Sequence, residues 1–104
     1  MMDTAWNFVY TIDKGILMGQ YTKIYRKIMS GNSDNNIDFS ELQWFVQKTG
    51  FTERNIRGDH FTYERDGIEE IINLQPDRGK AKGYQIQQIR KIFSKYGLGG
   101  EEHE

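Results

Sequence analysis

The chain has 104 residues, 37% hydrophobic and 28% charged, with a formal net charge of −1. That length suits one domain with a modest core and is too short for two, while the charged share implies a thin fold with much polar surface. The absence of cysteine excludes a disulfide framework, a thiol nucleophile and a cysteine zinc site, and fits a reducing compartment.

No stretch has the long uncharged apolar run of a membrane helix. The opening "MMDTAWNFVYTIDKGILMG" lacks the basic start and unbroken apolar core of a signal peptide. A cytoplasmic protein without membrane contact is therefore expected. Residues 1–20 show no clear period and are set apart as an N-terminal extension. Within it, Trp6, Phe8, Val9, Tyr10 and Ile12 suit a short strand or docked arm, and Met18-Gly19 suits an alternative start.

From there the spacing predicts a helix over Tyr21 to Met29. Ile24 and Ile28 lie four apart, with Tyr21 and Tyr25 alongside and Lys23, Arg26 and Lys27 elsewhere on its surface. "SGNSDNN" breaks it. A second helix follows, capped by Asp38 or Ser40, with Glu41 three residues after Asp38 as in a capping box. Leu42, Phe45, Val46 and Thr49 form its inner stripe, Phe39 joins them at its start, and Gly50 is the expected stop.

Three strands are expected next: Phe51 to Arg57, His60 to Arg65 after a Gly58-Asp59 turn, and Ile68 to Leu74 after an Asp66-Gly67 hairpin signal. Alternation in the middle strand puts Phe61, Tyr63 and Arg65 on the core side, and His60, Thr62 and Glu64 on the other. "QPDRGKAKG" reads as a basic loop. Tyr84 to Tyr96 reads as the last helix, with Ile86, Ile89, Ile92 and Phe93 inward and Gly97 as its stop. Residues 99–104 form an acidic tail. The fold class is α+β: a helix, a three-stranded antiparallel sheet and a helix, both helices covering one sheet face, with an extra helix or extension in front.

Charge is uneven along this plan. Between Tyr21 and Leu98 thirteen Lys and Arg face ten Asp and Glu, so the middle is mildly basic and the ends acidic. Such an excess permits nucleic-acid contact without establishing it. The "DRGKAK" loop is either a solvated connection or a phosphate contact, and its place before a helix N-terminus favours the latter. The aromatic residues Tyr21, Tyr25, Phe45, Phe61, Tyr63 and Phe93 are read mostly as core, and stacking on bases as the lesser role. Glu69 and Glu70 alternate across the third strand and make poor partners for a two-carboxylate mechanism. No metal-ligand cluster is visible and no cofactor is implied.

His60 is the one histidine away from the tail, where His103 sits. Inside "IRGDHFTYERDG" it admits three readings: a catalytic imidazole, a turn histidine bonded to backbone, or the flank of an Arg-Gly-Asp adhesion loop. An intracellular location counts against the last.

Taken together, "ELQWFVQKTGF", "RGDHFTY" and "GIEEIINLQPDRGKAKGYQIQQIRKIFSKYGL" resemble the HicA toxin family in order and spacing, over residues 21–98. The specific parts are Gly58 to His60, the "INLQP" strand end, the Lys-Ala-Lys loop and the Tyr-Gln helix start. The resemblance implies a fold similar to a double-stranded-RNA-binding domain and a ribonuclease that cleaves messenger RNA as the toxin of a toxin–antitoxin pair. It also implies a HicB-type antitoxin as partner, with which the toxin forms an oligomer, and His60 as the catalytic residue. This chain departs from the family in three places. Asp59 stands where serine is common, Phe61 where a second histidine is, and Gly83 where proline is. A carboxylate at position 59 puts a negative charge beside the imidazole and repels RNA phosphate.

RNA can be cut without a metal, because its own 2′-OH can attack the adjacent phosphorus. A histidine can remove the proton of that hydroxyl or protonate the departing 5′-oxygen. Cations can neutralise the phosphorane, and Arg57, Lys80 and Lys82 are the local candidates for RNA contact. Two other functions stay open: a non-catalytic RNA-binding module on the same fold, and a protein-interaction subunit that has lost catalysis.

Overall fold

The computed structural model describes residues 19–99. The arm expected around Trp6 to Ile12 and the tail beyond Gly99 lie outside them. Within the described residues the first helix, α1, covers 19–30. Then follow α2 (Phe39–Lys48), β1 (Thr52–Arg57), β2 (His60–Glu64), β3 (Ile72–Leu74), β4 (Pro76–Asp77), β5 (Lys80–Ala81) and α3 (Gly83–Tyr96). β1, β2 and β3 form an antiparallel sheet in that order, and β4 and β5 a separate two-stranded ribbon. The architecture is α+β. Among the described residues no helix is long and apolar enough to cross a membrane.

The helical stripes read from the sequence are the core. Ile24 and Ile28 of α1, Leu42, Phe45 and Val46 of α2, and Ile86, Ile89, Ile92 and Phe93 of α3 are all buried, together with Tyr63, Ile72 and Leu74 of the sheet. Their rings interlock: Tyr21 lies 4.8 Å from Phe45, Phe45 stacks on Phe93 at 5.6 Å, and Phe51 lies 6.3 Å from Phe93 on its way into β1. The middle strand alternates as expected, with Tyr63 fully buried and Phe61 partly so against Phe39. The Tyr63 hydroxyl donates to Glu53 and accepts from the Gln43 amide, each at 3.0 Å. Burial, reinforced by the Glu53 carboxylate, pushes this phenol up to about 12.

Four local expectations are corrected. The Asp66-Gly67 turn does not close a tight hairpin. Residues 68–71 leave the ladder, and β3 begins only at Ile72. The end of α3 holds this segment instead: the Tyr96 hydroxyl donates to Glu70 at 2.7 Å and accepts from the Glu69 amide at 3.3 Å, and Lys95 donates to Glu70 at 2.8 Å. Glu69 and Glu70 therefore do not alternate across a strand.

The Asp38 carboxylate makes no capping bond to α2. It takes the Lys80 ammonium at 2.6 Å, while the Phe39 amide at the start of α2 finds the Gly79 carbonyl at 3.0 Å. An ammonium is the stronger partner for a carboxylate, and the helix amide is satisfied from elsewhere.

The "QPDRGKAKG" stretch is not a plain loop. Asp77 pairs with Lys80 around a two-residue turn in which Arg78 and Gly79 both have positive φ, 56° and 80°. That is the type I′ geometry that matches strand twist. Ala81 donates to the Ile37 carbonyl at 2.8 Å, so the ribbon is stitched to the approach to α2. Finally, Gly83 is the first residue of α3. A Cβ there would clash with the Asn35 side-chain oxygen, so Asn35 fills the space that a larger residue at position 83 would use.

Candidate functional site

The sheet register decides what surrounds His60. Across β1 it faces Arg57. On the other side Phe61 pairs with Leu74, so the next position in the same row is Gln75, just past the end of β3. The two-residue turn that starts β2 depends on Gly58, whose φ of +61° suits a residue without a Cβ. His60 thus stands at the end of the sheet, its side chain 67% exposed. It is an accessible imidazole rather than a buried structural one.

A line of polar groups runs from it. The Asp59 carboxylate lies 3.8 Å from His60 Nε2, too far for a hydrogen bond. The Gln75 amide donates to the same Asp59 oxygen at 3.4 Å, and Gln75 Oε1 accepts from Lys82 Nζ at 2.9 Å. Residues far apart in the chain meet here because β3 runs into the ribbon and the ribbon into α3. On the side of the sheet facing away from the helices, Thr62 donates to Asn73 at 3.1 Å, continuing the polar surface.

The four residues singled out from the sequence fare differently. His60 and Arg57 are neighbours across β1 and β2. Arg57 is exposed and makes no ion pair among the described residues. Lys82 joins the His60 surroundings through Gln75. Its partner is a neutral amide, so its charge is not cancelled. Lys80 does not join them. Its ammonium is held by Asp38, with Asn36 Oδ1 at 3.3 Å, on the side of α2. Lys80 lies in β5, whereas Lys82 stands past the strand's end at the N-cap of α3.

Beside His60 lies an open depression of about 260 Å³, lined by His60, Phe61, Asn73, Leu74, Gln75, Tyr84, Gln85 and Gln88. In the sequence, Asn73, Gln75, Tyr84 and Gln85 stand out only as carriers of the family resemblance and not as site residues, and Gln88 does not stand out at all. A signal was present. Gln85 lies four residues before Ile89 and seven before Ile92, on the inward stripe of α3, where a polar residue is out of pattern. Among the described residues no group of three or more acidic or histidine side chains is placed to hold a metal ion.

No family model, curated protein or solved structure matches this chain.

Proposed function

We propose that this protein is the ribonuclease toxin of a HicA-type toxin–antitoxin pair, built on a double-stranded-RNA-binding-like architecture and acting on messenger RNA. The observation that carries the reading is His60 itself: an exposed imidazole at a sheet end, between an uncommitted arginine and a polar depression. The order helix, three antiparallel strands, helix is compatible with that architecture.

In this reading the RNA supplies its own nucleophile. The 2′-oxygen bonds to phosphorus as its proton leaves to His60, and the bond from phosphorus to the 5′-oxygen breaks, that oxygen taking its proton from water. Alternatively, His60 as imidazolium gives its proton to that departing oxygen while water takes the proton of the 2′-hydroxyl. The products are a 2′,3′-cyclic phosphate and a free 5′-hydroxyl. Arg57 and Lys82 neutralise the extra charge on the phosphorane. Asp59 opposes them by repelling phosphate. A HicB-type antitoxin neutralises the toxin by covering the His60 end of the sheet.

One observation favours the second reading, an RNA-binding module without catalysis. Among the described residues no second acid or base stands within bonding distance of the imidazole, and the Asp59 carboxylate 3.8 Å from it repels phosphate. Product chemistry separates the two. The nuclease reading expects fragments ending in 2′,3′-cyclic phosphate from RNA, and no cutting where the 2′-hydroxyl at the scissile step is replaced by hydrogen. Binding without fragments supports the module, and cutting of the 2′-deoxy substrate contradicts the mechanism.

A further inference from the structure

Gln85 is only 2% exposed, yet its Oε1 has no hydrogen-bond partner. It is the one such atom recorded among the described side chains. A buried acceptor left unmet is costly, and its persistence calls for a reason. The residue forms part of the lining of the depression beside His60. The rest of that lining has a consistent chemistry. Asn73, Gln75 and Gln88 are neutral amides, Phe61 and Leu74 supply an apolar base, and Tyr84 offers a ring that is 62% exposed. No lysine, arginine or carboxylate contributes. Such a surface disfavours phosphate and suits a flat, uncharged group with polar edges.

We propose that the depression is a nucleobase subsite. It takes one unpaired base of the RNA, stacked on Tyr84, and the Gln85 amide, whose Oε1 is closed to solvent in the free protein, turns to accept an N–H of the base edge. Side-chain amides read base edges in this way, because each offers a donor and an acceptor in one plane. Aromatic side chains hold unpaired bases by their faces. The subsite adjoins His60, so the base it holds belongs to a nucleotide next to the scissile phosphate. The inference rests on the RNA reading only for the class of ligand.

The test uses the full chain, labelled with ¹⁵N, and adenosine, cytidine and uridine as probes. Nucleosides have no scissile bond and no phosphate, so failure of the nuclease reading leaves this experiment untouched. At least one nucleoside is expected to shift the side-chain amide signals of Gln85, Gln88 and Asn73 in a saturable way. Tyr84→Ala, at an exposed position, is expected to weaken that binding by about tenfold through lost stacking. Gln85→Leu removes the unmet acceptor without opening a hole. It is expected to leave the unfolding midpoint unchanged or higher while weakening nucleoside binding by about the same factor. The proposal is overturned if no nucleoside moves these signals. It is equally overturned if both variants bind as the wild type does, or if only phosphate-bearing nucleotides bind. Should Gln85→Leu fail to fold, the Tyr84→Ala titration decides alone.

Discussion

The turn between α1 and α2 and the sheet end around His60 are both rich in polar residues, and they use them in opposite ways. In the turn, Arg90 reaches back from α3 and grips both oxygens of Asp34 at 3.0 Å, while giving a further bond to the Ile28 carbonyl at 2.7 Å. The Asp34 side chain is 14% exposed and that of Arg90 25%. Around His60 the two contacts of Asp59 are longer, 3.4 Å and 3.8 Å, the imidazole is exposed, and the Gln85 acceptor is unmet. Polar groups that hold a fold together are paired at short range; those left unpaired at a concave surface are available to a ligand.

The contrast is broken most severely in the turn. Asp34→Ala removes a two-pronged, charge-assisted contact and leaves a partly buried guanidinium short of acceptors. The expected loss is ~1–3 kcal/mol of unfolding free energy, measured by urea titration. The same contact sets an acid limit. The bond from Arg90 holds the Asp34 carboxyl below its ordinary 3.8, and the Lys95 ammonium and Tyr96 hydroxyl likewise lower Glu70. Both groups have folded-state values below their unfolded ones. Their contribution is therefore complete above the ordinary carboxylate range and disappears as pH falls through the lowered values. The thermal midpoint is expected to drop below about pH 4, and Asp34→Ala to flatten that drop. An unchanged acid limb would mean that Arg90 does not hold Asp34 in solution.

At the site the expected effects concern affinity more than stability. Lys82→Ala is expected to weaken RNA binding for all sequences and to reduce the salt slope by about one. Lys80→Ala is expected to leave both nearly unchanged, because its charge is already met by Asp38. Equal losses in the two variants, measured by fluorescence anisotropy across a salt series, would return Lys80 to the RNA surface. Asp59→Ser is expected to tighten RNA binding by removing a repulsive charge. The smallest effect lies in the ribbon. Arg78 carries a positive φ that asparagine tolerates better, so Arg78→Asn is expected to stabilise by about 0.5–1 kcal/mol in the same urea titration.

What the sequence disclosed follows from the range of each signal. The inward stripes of the helices, the Gly97 stop and the alternation of β2 are local patterns, and each was legible. The clamp between Asp34 and Arg90 spans 56 residues and the pair of Asp38 with Lys80 spans 42, so no local pattern announces them. Asp38 has two possible partners, and only the one near in sequence suggests a capping box. The β4–β5 ribbon leaves no mark in the sequence because strands of two residues show no alternation. His60 and Arg57 stood out by type, and register made them neighbours. The place of Gln75 in the same row depends on the pairing of β2 with β3, which no local pattern reveals.

The central claim is that His60 acts on RNA and does little for the fold. The most direct measurement compares RNA cleavage by wild type and by His60→Ala, with thermal unfolding of both. His60 is exposed, so the variant is expected to lose no more than about 0.5 kcal/mol of stability. It is also expected to cleave roughly a hundred to ten thousand times more slowly. A folded His60→Ala protein that cuts RNA as fast as the wild type would contradict the account.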